Sequence, residues 1–196
     1  MASHRSDEQV AKEALADRES FGVLMERYEA RLLRYIRRLG VAQDDADDVL
    51  QESFLRMYKG LASFDPTLPF SSWAYRITHN QAVSWMRKHK RPERQTVPLD
   101  QENEDGLRLL DLLASDEDIA GDTERKEHAE AIRETIQQLP LKYREVLVLR
   151  HLEEYSYEEI GDILKKPKGT VATQIRRARQ RLEKELRASG LHLIQP

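Results

Sequence analysis

The stretch SYEEIGDILKKPKGTVATQIRRARQRLEKEL, residues 156–186, predicts two helices joined by a short turn that contains a glycine. Ser156 and Glu159 have the spacing of a capping box, which begins a short helix that runs through Leu164. We expect residues 165–169 to form the turn. The second helix places its apolar residues on one narrow stripe, formed by Val171, Ile175, Ala178, Leu182 and Leu186. This pattern is typical of a helix-turn-helix.

The opposite face of the second helix carries groups that suit duplex DNA, namely Thr170, Thr173, Arg176, Arg177, Arg181 and Lys184. Arginine binds guanine through two hydrogen bonds, and threonine contacts a thymine methyl group or a phosphate. Lys168 lies at the entrance of the helix, where a phosphate would be found. For an isolated amphipathic helix, a hairpin with a solvated basic face is the simpler interpretation. The short first helix and tight turn shift the balance towards DNA contact.

A second informative segment is FSSWAYRITHNQAVSWMRKHKR, residues 70–91, which predicts a long helix with aromatic residues near its start and a basic end. At about 100° per residue, Trp73 and Ile77 share one side while Tyr75 and Met86 lie across from them. One packing face does not account for both sets, although core packing is the usual role of helical aromatics. We therefore expect some aromatic surface to stay exposed beside basic groups, as single-stranded nucleic acid requires.

Three further elements are predicted ahead of this segment. A helix covers residues 20–39 and ends at Gly40, and a weaker one precedes it around Val10, Ala14 and Leu15. The next begins at QDDADD, residues 43–48, where Asp44 or Asp45 is expected to cap backbone N–H groups. It runs to about Lys59, and its polar side includes Asp48, Gln51, Glu52, Arg56 and Lys59. The prolines of FDPTLP, residues 64–69, then predict a loop.

The chain as a whole is predicted to be all-α, with two small helical domains joined by an acidic linker. The domains are residues 1–94 and 126–196, and the linker is 95–125, where no periodicity is sustained. The second domain begins with a stripe that ends at Pro140, followed by a helix over residues 141–151. Although the net charge is −3, basic residues cluster at 87–94 and 176–184, so the charge distribution is compatible with nucleic acid.

Composition argues against several other classes of protein. No apolar run approaches the roughly 20 residues that cross a bilayer, and the first residues do not resemble an export signal, so we expect a cytoplasmic protein without direct membrane insertion. There is no cysteine and there are six scattered histidines, so neither a metal nor another cofactor is expected. No nucleophile–base pairing or phosphate-binding glycine loop is evident. An enzyme with a small-molecule substrate is therefore not predicted.

The order of these motifs resembles that of the extracytoplasmic-function (ECF) sigma factors of bacterial RNA polymerase, within the sigma-70 superfamily. The likeness rests on DDADDVLQESFLRMYKGL (residues 44–61), FSSWAYRITHN (70–80) and LPLKYREVLVLRHLEEYSYEEIGDILKKPKGTVATQIRRARQRL (139–182). It extends over roughly residues 20–94 and 127–186. The resemblance implies a factor that binds core polymerase and directs promoter-specific initiation. The alternative is a self-sufficient DNA-binding regulator that uses the same helix-turn-helix.

By this resemblance, residues 1–94 are region two, which docks on the beta-prime coiled coil of the polymerase and melts the minus-ten promoter element. The resemblance assigns polymerase contacts to Asp48, Gln51, Glu52 and Leu55. It assigns capture of a flipped base to Phe64, Phe70, Ser71, Trp73, Arg76, His79 and Asn80. It assigns the upstream DNA backbone to Arg87, Lys88 and Arg91.

Residues 126–196 correspond to region four, which reads the minus-thirty-five element as duplex and meets the beta flap. The resemblance assigns bases to Thr173, Arg176 and Arg177, and phosphates to Lys168, Thr170 and Arg179. Helical geometry sets Arg179 beside the apolar stripe, a position from which it can brace the domain instead. The implied partners are core polymerase, promoter DNA and an anti-sigma protein, and the linker would run towards the active-centre channel or the RNA exit path.

Overall fold

The computed structural model describes residues 5–89 and 123–189, and these parts of the chain are helical with no strand. The all-α prediction is therefore confirmed. The chain divides into two compact units, one formed mainly by residues up to Pro92 and the other by most of those after it. Residues 95–122 of the predicted linker lie outside the described residues, as does Arg91. None of the helices that the structure describes is long and apolar enough to cross a membrane.

Residues 5–89 contain four α-helices: α1 (Asp7–Glu13), α2 (Glu19–Arg38), α3 (Gln43–Gly60) and α4 (Phe70–His89). Helix α3 packs against both α2 and α4, and the short α1 packs across α2 and α4. Gly40 adopts a φ of 93°, which ends α2 where the sequence predicted. A single 3₁₀ turn, Leu61–Ser63, follows α3 and leads into the loop before α4.

Three local predictions in this unit are wrong. The N-cap of α3 is Ala42, and no side chain caps it. Asp44 and Asp45 lie in the first turn instead, where their charge complements the positive end of the helix. The weaker helix was expected around Leu15, and the sequence places Met25 among the apolar residues at helical spacing in residues 20–39, but Leu15 and Met25 are 57% and 40% exposed. The apolar stripe that the sequence predicts for α3 is buried at Val49, Leu50, Phe54, Met57 and Leu61, whereas its remaining member, Tyr58, is half-buried.

Helix α4 is buried on more than one side, and the aromatic surface left accessible on it is mainly that of Trp85, which is half-buried near the basic end. Trp73 is only 9% exposed, and Tyr75, on the other side of the helix, is fully buried. Both sets of apolar residues are covered because α4 packs against α1, α2 and α3 together. The ring of Tyr75 lies 4.9 Å from that of Tyr35 on α2, and Trp85 stacks on His89 at 4.4 Å.

Residues 123–189 form four more α-helices: α5 (Thr123–Gln138), α6 (Leu141–Leu147), α7 (Tyr157–Leu164) and α8 (Lys168–Ala188). Helix α6 continues into a π-helical turn, Val148–Leu152, so the helix predicted over residues 141–151 changes its winding midway. Both α5 and α6 pack against α8. The predicted stripe of α8 is confirmed, with Val171, Ile175, Ala178, Leu182 and Leu186 all buried.

A buried arginine closes the end of α5. Arg144 is 2% exposed, and it donates hydrogen bonds from Nε to the carbonyl of Ile136 at 3.2 Å and from Nη2 to the carbonyl of Leu139 at 2.7 Å. The last carbonyls of a helix have no donor partners within the helix. The bonds from Arg144 therefore satisfy these carbonyls and the buried N–H groups of the guanidinium at the same time. The junction between α5 and α6 is thereby fixed although Pro140 interrupts the helix.

The turn between α7 and α8 is shorter than predicted, and its essential glycine is a different one. It spans residues 165–167, and Gly169 already lies in α8, where a Cβ would enter open space with nothing within 4 Å. A Cβ on Gly161 would instead meet the carbonyl oxygen of Lys166 at 2.7 Å. That carbonyl belongs to the turn, and Lys165 just before it adopts a left-handed φ of 53°. Gly161 is therefore what lets the turn fold back onto α7.

We predict that Gly161→Ala destabilises the C-terminal unit by about 1–3 kcal/mol, because a methyl group there forces the turn away from α7. The control is Gly169→Ala, whose added methyl group enters open space in a helix and should leave stability unchanged or slightly raised. Urea unfolding of the full chain, followed by circular dichroism, checks both variants. Equal stability of the two would contradict this role of Gly161.

Candidate nucleic-acid interface

The outer face of α3 combines an exposed apolar side chain with acidic and amide groups. Leu55 is 46% exposed, which is unusual for leucine on a helix that otherwise buries its apolar stripe. Gln51 is exposed one turn before it and Asp48 two turns before it, and Glu52 is half-buried. Arg56 holds Glu52 through a hydrogen-bonded ion pair at 2.8 Å. We call this surface, made of Asp48, Gln51, Glu52 and Leu55, the α3 outer face.

Four aromatic rings meet where the loop of residues 64–69 enters α4. The ring of Phe70 lies 5.3 Å from Tyr28, 5.4 Å from Phe64 and 5.5 Å from Trp73. Phe64 and Trp73 are 5.2 Å apart. Phe70 is 1% exposed and Phe64 is half-buried, so Phe70 forms the base of this α4 aromatic cluster and Phe64 its accessible edge.

The loop beside the cluster is an ordered turn. Asp65 accepts hydrogen bonds from the Thr67 backbone N–H at 2.9 Å and from its hydroxyl at 2.7 Å. These bonds lower the pKa of the Asp65 carboxyl. The N–H of Leu68 donates to the Asp65 carbonyl at 3.1 Å, and the Leu68 side chain is 54% exposed at the tip.

The candidate base-contacting residues of α4 divide into accessible and buried groups. Asn80 is exposed, and Ser71 and Arg76 are half-buried. His79 is buried, and its Nδ1 lies in a hydrogen bond 3.0 Å from the hydroxyl of Tyr35 on α2. Phe70 and His79 therefore support the surface from beneath, whereas the sequence placed them on it. Arg87 and Lys88 are exposed in the last turn of the helix.

Helix α8 presents its predicted DNA-binding groups on one accessible side. Thr170, Thr173, Arg176 and Arg177 are all exposed, opposite the buried stripe. The hydroxyl of Thr173 donates to the carbonyl of Gly169 at 2.9 Å, which orients its methyl group. Lys168 forms an exposed ion pair with Glu158 of α7, and this hydrogen bond lowers the pKa of Glu158. Lys168 thus lies at the junction of the two helices.

Arg179 braces the domain, as helical geometry suggested. Its Nη2 donates to Nε2 of His151 in the π-helical turn at 3.2 Å. Burial, together with the charges of Arg179 and Arg150, lowers the pKa of His151 to about 4, so the imidazole is neutral near pH 7 and can accept that bond. This contact ties α8 to the π-helical turn and directs Arg179 away from the exposed face.

A polar cluster beneath the turn has no counterpart in the sequence patterns. Lys166 donates from Nζ to Oε1 of Glu145 at 2.5 Å and to Oε1 of Gln174 at 3.0 Å. The Glu145 side chain is 7% exposed, and burial raises its pKa although the Lys166 charge opposes this. Lys166 therefore joins α6 to the first half of α8. A lysine in a turn is ordinarily solvated, so only the fold reveals this role.

Comparison with known proteins places these surfaces in a family. The model for Sigma-70 region 2 matches residues 24–92, and that for Sigma-70 region 4 matches residues 129–182. Over 174 residues the chain is 36% identical to the ECF RNA polymerase sigma factor SigW of Bacillus subtilis, a match that covers 87% of this chain and 91% of that protein. The chain belongs to the ECF sigma factors. The resemblance is thereby confirmed, and the ECF sigma factor described here directs transcription initiation by RNA polymerase.

Further relatives and solved structures agree with the assignment. The ECF RNA polymerase sigma-E factor of Haemophilus influenzae is 33% identical over 87% of this sigma factor and 89% of its own length. Among solved structures, that of CnrH in complex with the cytosolic domain of CnrY matches this chain with a TM-score of 0.67 and 26% sequence identity. The match covers 94% of this chain and 99% of the matched chain. The family assignment replaces the alternative of a self-sufficient regulator.

We predict that Lys166→Met destabilises the C-terminal unit by about 3 kcal/mol, because it leaves Glu145 buried without its ionic partner. Replacement of both residues by methionine should recover most of the loss, since the buried charge is then removed as well. Urea unfolding of the two variants and the wild type measures the difference. A single variant as stable as the wild type would contradict a structural role for this ion pair.

Stability should also depend on pH through His151. Its folded-state pKa of about 4 lies below the ordinary value of 6.5, so the unfolded chain takes up the proton first as the pH falls. The resulting stability is complete above about pH 6.5 and is lost progressively towards pH 4. His151→Gln keeps an oxygen acceptor for Arg179 without titrating, so its stability should fall less over this range in thermal unfolding. Parallel curves for the two proteins would contradict the prediction.

Proposed function

We propose that this ECF sigma factor reads promoter DNA with two surfaces, single-stranded bases with the start of α4 and duplex with the exposed face of α8. The observation that carries the proposal is the face of α8, where exposed threonines and arginines lie opposite a fully buried stripe. On it, Thr173, Arg176 and Arg177 contact base edges, and Thr170 and Lys168 contact phosphates. Arg179 supports the helix rather than the DNA.

At the minus-ten element, the half-buried Phe64 offers a stacking surface to an unpaired base, and Trp73 packs against Phe64 and supports it. Ser71, Arg76 and Asn80 supply polar groups along the next turns of α4. Base stacking on an aromatic side chain stabilises single-strand binding by about 1–3 kcal/mol. Phe70 and His79 hold this surface in place, because both are buried beneath it.

Binding of the upstream backbone is assigned to the basic end of α4. Arg87 and Lys88 are exposed there, and Arg91 follows them in the sequence. Each lysine or arginine that neutralises a phosphate releases condensed counterions, so this part of the interaction should weaken with salt.

Core polymerase is proposed to bind the α3 outer face, with Leu55 as the apolar centre and Asp48, Gln51 and Glu52 around it. The partners in this interpretation are the beta-prime coiled coil at α3 and the beta flap at the C-terminal unit. The sigma factor itself supplies no catalytic group or cofactor, because the polymerase carries out phosphodiester chemistry. Its place of action is the cytoplasm, where polymerase and promoter are found.

An anti-sigma protein is the proposed regulator. The similar protein CnrH has been solved in complex with the cytosolic domain of CnrY, which supports a comparable partner for this chain. Leu55 is exposed on the α3 outer face, and a regulator that covers it would compete with polymerase for that surface.

In vitro transcription with core polymerase over a randomised promoter library tests the division of labour. Asn80→Ala should relax selection only in the minus-ten element, and Arg177→Ala only in the minus-thirty-five element. Each lost base contact should reduce discrimination at its position by about 1–3 kcal/mol, which is roughly fivefold to 150-fold.

Each variant serves as the control for the other, and Arg133→Ala, an exposed arginine on α5, controls for loss of positive charge. Relaxation of both elements by either variant would contradict the assignment of one element to each surface. Tight, site-specific binding of promoter duplex by the sigma factor without core polymerase would contradict the proposal that both surfaces act within the holoenzyme.

A further inference from the structure

The first residue of α4 forms a hydrogen bond with a carboxylate of α1, the first helix of the N-terminal unit. The backbone N–H of Phe70 donates to Oε1 of Glu8 on α1 at 3.0 Å, across 62 positions of sequence. The first N–H groups of a helix lack acceptors within the helix, and a negative charge there also complements the helix dipole. Partial burial opposes ionisation of Glu8, yet the hydrogen bonds from Phe70 and its other partners lower its pKa overall.

Glu8 is held in this position by the rest of α1. Ser6 and Gln9 form a capping box at the start of the helix, with bonds of 3.0 and 3.2 Å. Asp7, next to Glu8, accepts hydrogen bonds at 2.6 Å from both Arg27 and the hydroxyl of Tyr28 on α2. Helix α1 also buries Val10, so the carboxylate of Glu8 is presented from a fixed support.

Two routes from α1 converge on Phe70. Glu8 holds its backbone, and Asp7 holds Tyr28, whose ring packs edge-on against the Phe70 ring at 5.3 Å. Phe70 in turn contacts Phe64 and Trp73 in the α4 aromatic cluster. The position of the cluster therefore depends on a helix that contributes no residue to it.

We propose that Glu8 is a positioning residue for base capture: its carboxylate fixes the first turn of α4 and with it the aromatic cluster and adjoining loop. This inference rests on the proposed role of the cluster in holding an unpaired base. Loss of a carboxylate at a helix start commonly weakens the local structure by about 1 kcal/mol, which corresponds to roughly a fivefold effect.

The experiment uses holoenzyme assembled from core polymerase and a promoter with 2-aminopurine in the minus-ten element, whose fluorescence reports unstacking. Glu8→Ala should reduce the equilibrium constant for opening about fivefold, while assembly with core polymerase and minus-thirty-five selection stay unchanged. Glu8→Gln keeps an oxygen acceptor for the Phe70 N–H and should remain within twofold of the wild type. Rescue by glutamine separates positioning from a general loss of charge.

The matched control is Glu13→Ala, which removes the same charge from α1, since Glu13 pairs with Arg5 and not with α4. Tyr28→Phe is a second variant, which removes the bond to Asp7 and should shift opening in the same direction as Glu8→Ala. The inference is overturned if Glu8→Ala opens the promoter within twofold of the wild type, or if Glu8→Ala and Glu13→Ala reduce the equilibrium constant for opening equally. Absence of any 2-aminopurine signal with the wild type would instead refute the proposed function.

Discussion

The burial of α4 on several sides is the constraint on which the N-terminal unit depends. A helix that carries Trp73 and Tyr75 on opposite sides needs neighbours around most of its circumference, and α1, α2 and α3 supply them. Because most of the helix surface is occupied by these neighbours, its accessible groups are few and their directions are fixed. In the proposed role of α4 in base capture, preorganisation of this kind means that the surface would not have to rearrange when an unpaired base binds.

In the C-terminal unit, polar contacts fix the orientation of α8 and of its accessible side chains. Helix α8 buries a narrow apolar stripe, and charged side chains fix its direction at two points along its length. Lys166 bonds α6 to the first half of α8, and Arg179 bonds its middle to His151. Buried polar contacts of this type hold one orientation better than apolar packing alone, because each unmade bond is costly.

Sequence patterns were sufficient for the helices, for the capping box at Ser156 and for the exposed arginines of α8, because periodicity and local spacing determine these features. They were insufficient wherever a partner lies far away in the chain. The bond from Glu8 to Phe70, the pair formed by Lys166 and Glu145, and the burial of His79 against Tyr35 all join separate elements. Likewise, Gly161 is needed because of a backbone carbonyl five residues later, and helical periodicity does not register that contact.

If the loop of residues 64–69 takes part in base capture as proposed, the turn at Asp65 and Thr67 has a consequence for selectivity. Ordering a loop upon binding costs conformational entropy, about 1–2 kcal/mol for each residue fixed, and that loss falls on every ligand alike. Here the hydrogen bonds of Asp65, together with Pro66 and Pro69, order the loop before any ligand binds. A DNA strand that fits the loop would gain the full contact energy. The loop would not rearrange to improve its contacts with a strand that does not fit. The rigidity of this loop would therefore increase the difference in affinity between strands of matching and non-matching sequence.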